Sequence, residues 1–142
     1  MAAIGKGIFN LLSNNGTISS NVGTRIMPDV VNATATSARV LPYITYDIMS
    51  VEPVGDKGIA AGGSALIDVF RVQVNIYSDT YGQLETLAGA VLATLNRYTG
   101  TANTIKIQSV DYLNQADDYE KDGGNKGIYA RGMDFNFRIN NV

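Results

Sequence analysis

The sequence that decides the fold is residues 66–98, LIDVFRVQVNIYSDTYGQLETLAGAVLATLNRY, because its hydrophobic period changes in the middle. In the first half, apolar and polar residues alternate, which predicts a half-buried strand since successive side chains point to opposite faces. The apolar face of this strand consists of Phe70, Val72, Val74 and Ile76.

The second half of the same stretch predicts an amphipathic helix, because its apolar residues recur every three or four positions. The apolar stripe consists of Leu84, Leu87, Ala88, Val91, Leu92 and Leu95. Ser78, Asp79 and Thr80 lie between the two patterns and can accept hydrogen bonds from the free N–H groups of a helix start. We therefore predict that the helix follows the strand directly and covers its apolar face.

The flanking sequence predicts further elements of the same sheet. Helical spacing predicts a short helix at about residues 2–13, and alternation predicts strands at 43–49, 104–113 and 128–139. Residues 23–28 predict a brief extended segment that ends at Pro28. Most of these strands can pair antiparallel, although the connection through the long helix allows one parallel pair. The predicted fold is α+β in a single domain, residues 1–142: one mainly antiparallel twisted sheet of four to five strands, packed against one long helix, plus a short N-terminal helix.

Composition limits the chemistry that the chain can perform. Its 142 residues contain no cysteine and no histidine, which excludes disulfides, thiolate nucleophiles, the usual zinc sites and the commonest acid–base side chain. A net charge of −2 argues against a dedicated nucleic-acid binder, and the absence of 18 consecutive apolar residues argues against a membrane span. We expect no cofactor and no enzymatic activity; a small carboxylate-dependent enzyme using Asp117 and Asp118 is the outlying alternative.

Two polar, glycine-containing loops are predicted at residues 51–64 and 114–127, and long loops of this kind are often functional. The candidate partner-contact residues in them are Asp56, Lys57, Asp117, Asp118, Tyr119, Glu120, Lys121, Asp122 and Lys126. The spacing of three acidic residues before Gly123 also resembles the start of a calcium-binding loop. Its twelfth position is Tyr129 instead of glutamate, which favours a solvated hairpin tip.

A second group of residues suits contacts between subunits. These candidate subunit-interface residues are Tyr43, Arg71, Tyr77, Tyr81 and Arg138. Tyrosine combines an apolar body with a polar tip, which suits interfaces and sheet edges equally well. The spacing of Asp68 with Arg71, and of Asp134 with Arg138, predicts charged pairs on a strand face that meets solvent or another subunit.

The order of four short motifs resembles that of the tail-completion family of tailed bacteriophages, whose members are tail terminators or tail-to-head joining proteins. The motifs are VGTRIMP at residues 22–28, LPYITY at 41–46, VQVNIYSDTY at 72–81 and LAGAV at 87–91. The resemblance covers about residues 4–98, and the final strands agree with it in layout.

This resemblance implies a structural protein in the neck of the virion. Such a protein assembles with itself as a ring, expected to be a homo-hexamer, on the tail tube protein and ends tube polymerisation. It also meets the head-closure or connector protein, and DNA passes through its lumen without specific binding. The alternative is another tail or neck ring component, such as a tail-tube or head-closure protein.

Overall fold

The structure is a computed structural model that describes residues 4–23, 25–28, 41–53, 67–121 and 127–140. Within these residues it contains three helices and six strands. The helices are α1 (Ile4–Ser13), α2 (Gly16–Val22) and α3 (Tyr81–Leu95). The strands are β1 (Ile26–Pro28), β2 (Tyr43–Pro53), β3 (Ile67–Ser78), β4 (Gly100–Ala102), β5 (Ile105–Lys121) and β6 (Gly127–Asn140).

The strands form one sheet in the order β1-β2-β3-β6-β5-β4, which curls into a half-barrel. β1 pairs parallel with β2, and the other neighbours pair antiparallel. The predicted fold class is therefore wrong: the sheet is mixed and has six strands instead of four to five, and three short helices replace one long helix and one short one.

The strand that the sequence does not predict is β4, which has three residues, too few for an alternating pattern to be recognised. β1 is equally short and coincides with the brief extended segment predicted at residues 23–28. α2 follows α1 almost directly, because the Asn15 side chain accepts hydrogen bonds from the N–H groups of Thr17 and Ile18 at 3.0 and 3.1 Å. An asparagine close behind one helix thus caps the next one.

The predicted strand and helix of residues 66–98 are both present, as β3 and α3. The apolar face of β3 is fully buried, and α3 packs against it with the stripe that the sequence predicts. Thr80 is the N-cap, and its hydroxyl accepts a hydrogen bond from Gln83 N–H at 3.3 Å. α1 and α2 pack against α3 and add Ile4, Ile8, Leu12, Ile18 and Val22 to the same core.

The opposite face of the sheet, here called the polar face, carries the alternate side chains of β3 and β6. Gln73 and Asn75 of β3 lie there beside Asp134, Asn136 and Arg138 of β6. Because one face of these strands is buried and the other is polar, apolar and polar residues alternate clearly in their sequence.

β5 is longer than predicted, because it continues to Lys121 instead of ending near Leu113. Its register against β6 shifts between Ile107 and Ser109 and again between Tyr112 and Asn114. Each shift reverses the face of the sheet to which the odd-numbered side chains of β5 point. From Leu113 to Tyr119 every side chain is exposed, so neither face of this part leaves an apolar pattern.

Candidate partner-binding surface

Arg131 of β6 is the centre of a charged cluster at the end of the β5–β6 hairpin. It lies in the core-facing row of β6, opposite Ile76 of β3 and Asp117 of β5, and only 5% of it is exposed. Its Nε donates to Asp117 Oδ1 at 2.6 Å, and its Nη2 donates to Asp117 Oδ2 at 2.9 Å and to Glu85 Oε1. This fork fixes the geometry and compensates the buried positive charge.

The same contacts keep all three groups charged. Hydrogen bonding from Arg131 is the main cause that lowers the pKa of the Glu85 carboxyl, and a hydrogen bond from Tyr81 lowers it further. The hydrogen bond from Arg131 also lowers the pKa of Asp117, while that bond raises the pKa of Arg131 above its ordinary value. Asp117 is therefore part of a structural ion pair, which disfavours it as a proton-transfer group near neutral pH.

Three tyrosines surround this ion pair. The Tyr129 ring centre lies 4.7 Å from that of Tyr119 and 5.8 Å from that of Tyr81, and the Arg131 guanidinium lies 6.0 Å from the Tyr81 ring centre. Tyr81 is 51% exposed and Tyr119 is 49% exposed. We call this set the tyrosine–arginine cluster; it consists of Tyr81, Glu85, Asp117, Tyr119, Tyr129 and Arg131.

The cluster opens into a cleft of about 470 Å³ that Leu84 and Asp118 also line. The three tyrosine rings contact one another, and Tyr81 also lies beside the Arg131 guanidinium. Partly exposed aromatic residues are enriched in protein–protein interfaces and among the residues that dominate binding energies. The geometry therefore suits binding of a partner protein.

The polar face carries a second, smaller groove of about 310 Å³, between β3 and the end of the β5–β6 hairpin. Gly132 lies in its floor, where an added Cβ would approach Asn75 Oδ1 to 3.0 Å. Glycine at this position thus lets the polar side chains of β3 close over β6.

Arg71 and Asp134 form the ion pair on this face, at 3.1 Å. The predicted pairing of Asp134 with Arg138 is replaced by this cross-strand pair, since β3 and β6 are neighbours. Asp134 Oδ1 is buried and has no hydrogen-bond partner within the described part of the chain.

The structure separates the predicted interface residues into two places. Tyr81 belongs to the tyrosine–arginine cluster, whereas Arg71, Arg138, Tyr43 and Tyr77 lie at the polar face. The rings of Tyr43 and Tyr77 stack at 4.6 Å, and only 6% of Tyr43 is exposed, so this tyrosine packs mainly within its own chain.

The predicted partner-contact loop at 114–127 needs correction. Asp117, Asp118, Tyr119, Glu120 and Lys121 belong to strand β5, paired with β6, and not to a loop. Asp117 and Tyr119 nevertheless line the same cleft as Tyr81. Asp56, Lys57, Asp122 and Lys126 lie outside the described residues.

Arg131 and Glu85 were not predicted as functional residues. A signal for Arg131 exists, because it occupies an apolar phase of the alternation that continues through Met133, Phe135 and Phe137. A charged residue in such a row requires a partner, which the sequence does not identify. Glu85 lies on α3, and only the folded structure brings it to β6.

Over the described residues, no group of three or more histidine, cysteine, aspartate or glutamate side chains is placed to hold a metal ion. No helix in the described ranges has the length and hydropathy needed to cross a membrane.

Comparison with known proteins gives one family and one fold. The family model described as "Tail completion protein gp17" matches residues 6–139. No curated protein matches the sequence. A chain of the solved structure titled "Virion of native gene transfer agent (GTA) particle" is similar with a TM-score of 0.69 and 15% identity, over 97% of this chain and 95% of that chain. At this identity the similarity concerns the fold alone.

Proposed function

The chain belongs to the tail completion protein gp17 family, and from this premise we propose that it closes the tail tube as a ring and joins the tail to the head. The family match confirms the resemblance found in the motif order. The protein is accordingly a structural component of the tail or neck and is located in the virion.

The observation that carries the proposal is the extent of the family match, which includes both the β3–α3 unit and the β5–β6 hairpin. Two surfaces of the chain support it. The tyrosine–arginine cluster offers half-exposed, mutually packed aromatic rings to an axial partner, either the tail tube or the head-side connector. The rest of the contact area comes from the edges of the sheet.

A closed ring, proposed as a homo-hexamer, requires heterologous contacts that repeat by rotation. The sheet provides different outer strands at its two sides, β1 and β2 on one and β4 and β5 on the other. Arg71 and Arg138 on the polar face alternate with acidic side chains such as Asp134. Such a mixture allows DNA to pass through a lumen without strong retention, because phosphate affinity grows with each neutralised charge.

The proposal is tested with tubes grown from the cognate tail tube protein and imaged by electron microscopy. Added chain should stop elongation and lie at one tube end only, and native mass spectrometry of that complex should give six copies. Decoration along the whole tube would contradict a terminator. Open-ended growth of the chain alone would favour a tail-tube protein, and turnover of a small molecule would contradict a purely structural role.

A further inference from the structure

Within the described residues, the outer edge of β5 lacks a neighbouring strand over much of its length. β4 pairs only with Ile105, Lys106 and Ile107. Just beyond, Arg97 N–H donates to Val110 O at 2.8 Å and Tyr112 N–H donates to Asn96 Oδ1 at 3.4 Å. From Leu113 to Tyr119, none of the strands in the described ranges pairs with this edge.

The register shows which backbone groups face this edge. Val110 and Tyr112 use the outer edge for backbone hydrogen bonds, so their pairs with Phe137 and Phe135 are of the non-hydrogen-bonded kind. In an antiparallel ladder this kind recurs at every second residue. Further non-hydrogen-bonded pairs therefore occur at every second residue of β6: Met133 with Gln115, Arg131 with Asp117, and Tyr129 with Tyr119.

The N–H and C=O groups of Gln115, Asp117 and Tyr119 therefore point away from β6. One hydrogen bond agrees with this assignment, because Tyr119 N–H donates to Asp118 Oδ1 at 2.8 Å and not to β6. Open edges of this type are templates for an added strand.

The side chains at this edge select the chemistry of the added strand. Asp117 and Tyr119 lie on the face of the tyrosine–arginine cluster, and Asp118 lines both the cleft of that cluster and the groove of the polar face. A strand beside them would meet a carboxylate on either face and an exposed aromatic ring. The complementary segment carries lysine or arginine together with apolar residues.

We propose that the outer edge of β5, from Gln115 to Tyr119, is a strand-addition site for an extended basic segment of a different protein. A second copy of this chain fits less well. Beyond Tyr46, the edge of β2 opposite β3 pairs with none of the described strands and carries Asp47 and Glu52, so pairing between copies would set acidic residues against acidic residues. This inference rests on the proposed function in one respect: it expects the protein that supplies the basic segment to be a component of the tail or the head.

The matched variants are Gln115→Pro and Gln115→Thr. Proline removes an N–H that does not bond β6, which an edge strand tolerates, whereas threonine keeps the N–H and favours a strand. Both variants should unfold at nearly the same temperature as the parent chain. If Gln115→Pro unfolds at a much lower temperature than the parent chain, the edge hydrogen bonds are removed instead by N-methylating the main chain of the added peptide.

The probe is the peptide acetyl-TKVKVKT-amide, added to the full ¹⁵N-labelled chain and followed by NMR. We expect amide shifts confined to residues 113–119 and their neighbours, and affinity that falls with salt. Gln115→Pro should weaken binding about fivefold or more, since a main-chain hydrogen bond is lost, and Gln115→Thr should not. The same peptide with glutamate in place of lysine should not bind.

Three results would overturn the proposal: no shifts at the β5 edge, equal binding by the two variants, or equal binding of the acidic peptide. Concentration-dependent shifts at this edge without peptide would instead identify a second copy as the occupant and overturn the choice of partner. Normal tube capping without peptide binding would reject this inference alone, whereas peptide binding without tube capping would reject the proposed function alone.

Discussion

Arg131 connects two elements through one side chain, because its guanidinium binds Asp117 on β5 and Glu85 on α3. The arginine is buried, while the two carboxylates are about half exposed. Hydrogen bonds to the two carboxylates therefore offset the desolvation free energy of the buried guanidinium, while each carboxylate stays partly hydrated.

Replacing Arg131 tests this connection. Arg131→Met keeps the length of the buried side chain and removes its charge, and we expect the free energy of unfolding to fall by about 1–3 kcal/mol, as for lost hydrogen bonds to charged groups. Urea unfolding at neutral pH measures the change. Lys6→Met removes a positive charge from an exposed position of α1 and should have little effect. Equal losses in both variants would show that net charge, and not the fork, is responsible.

The same ion pair predicts an acid-dependent loss of stability. The folded chain holds the pKa values of Glu85 and Asp117 below their ordinary values of 4.5 and 3.8. Groups with lowered pKa stabilise the fold fully above the ordinary value, and the contribution disappears as pH falls through the lowered folded-state value. Stability should thus fall more steeply below pH 4.5 in the parent chain than in Arg131→Met. Parallel pH profiles of the two chains would contradict this prediction.

At the scale of elements, β3 and α3 could be predicted because each shows its own hydrophobic period over many residues. The extension of β5 could not, since its exposed residues 113–119 have no apolar face. The site was predicted in separate parts: Tyr81 as a subunit contact, and Asp117 with Tyr119 as a loop. Only the pairing of β5 with β6, and the start of α3 beside them, brings these residues to Arg131.

Two glycines give opposite predictions for element stability. Gly89 is exposed within α3 and an added Cβ would meet nothing within 4 Å, so Gly89→Ala should stabilise the chain by about 0.5–1 kcal/mol. Gly100, at the start of β4, has a φ of +147°, and an added Cβ would lie 3.0 Å from the Tyr98 hydroxyl oxygen. Gly100→Ala should therefore destabilise by about 1 kcal/mol or more. Thermal unfolding that ranks the two variants in the reverse order would contradict both assignments.

At the scale of the whole molecule, the helices cover one face of the sheet, and the proposed contact residues lie at the hairpin end and along the sheet edges. We expect the double substitution Tyr81→Ala with Tyr119→Ala to leave the fold intact, because both rings are about half exposed. Head-to-tail joining should fall by about tenfold or more, as for loss of aromatic hot-spot residues.

The count of joined particles by electron microscopy measures this effect, with circular dichroism to check the fold. Lys6→Ala is the control, because Lys6 is an exposed residue of α1 and belongs neither to the cluster nor to an edge of the sheet. Equal joining by the double variant and the control would contradict a role for the tyrosine–arginine cluster.

The link from Arg131 to α3 also has a mechanical consequence. A tail under tension pulls on whatever its neck proteins hold, and force on the tip of a hairpin alone would separate the two strands one hydrogen bond at a time. We expect part of that load to reach Glu85 and α3, because Arg131 joins the paired strands β5 and β6 to the helix. The hairpin end should consequently resist pulling as part of the whole domain.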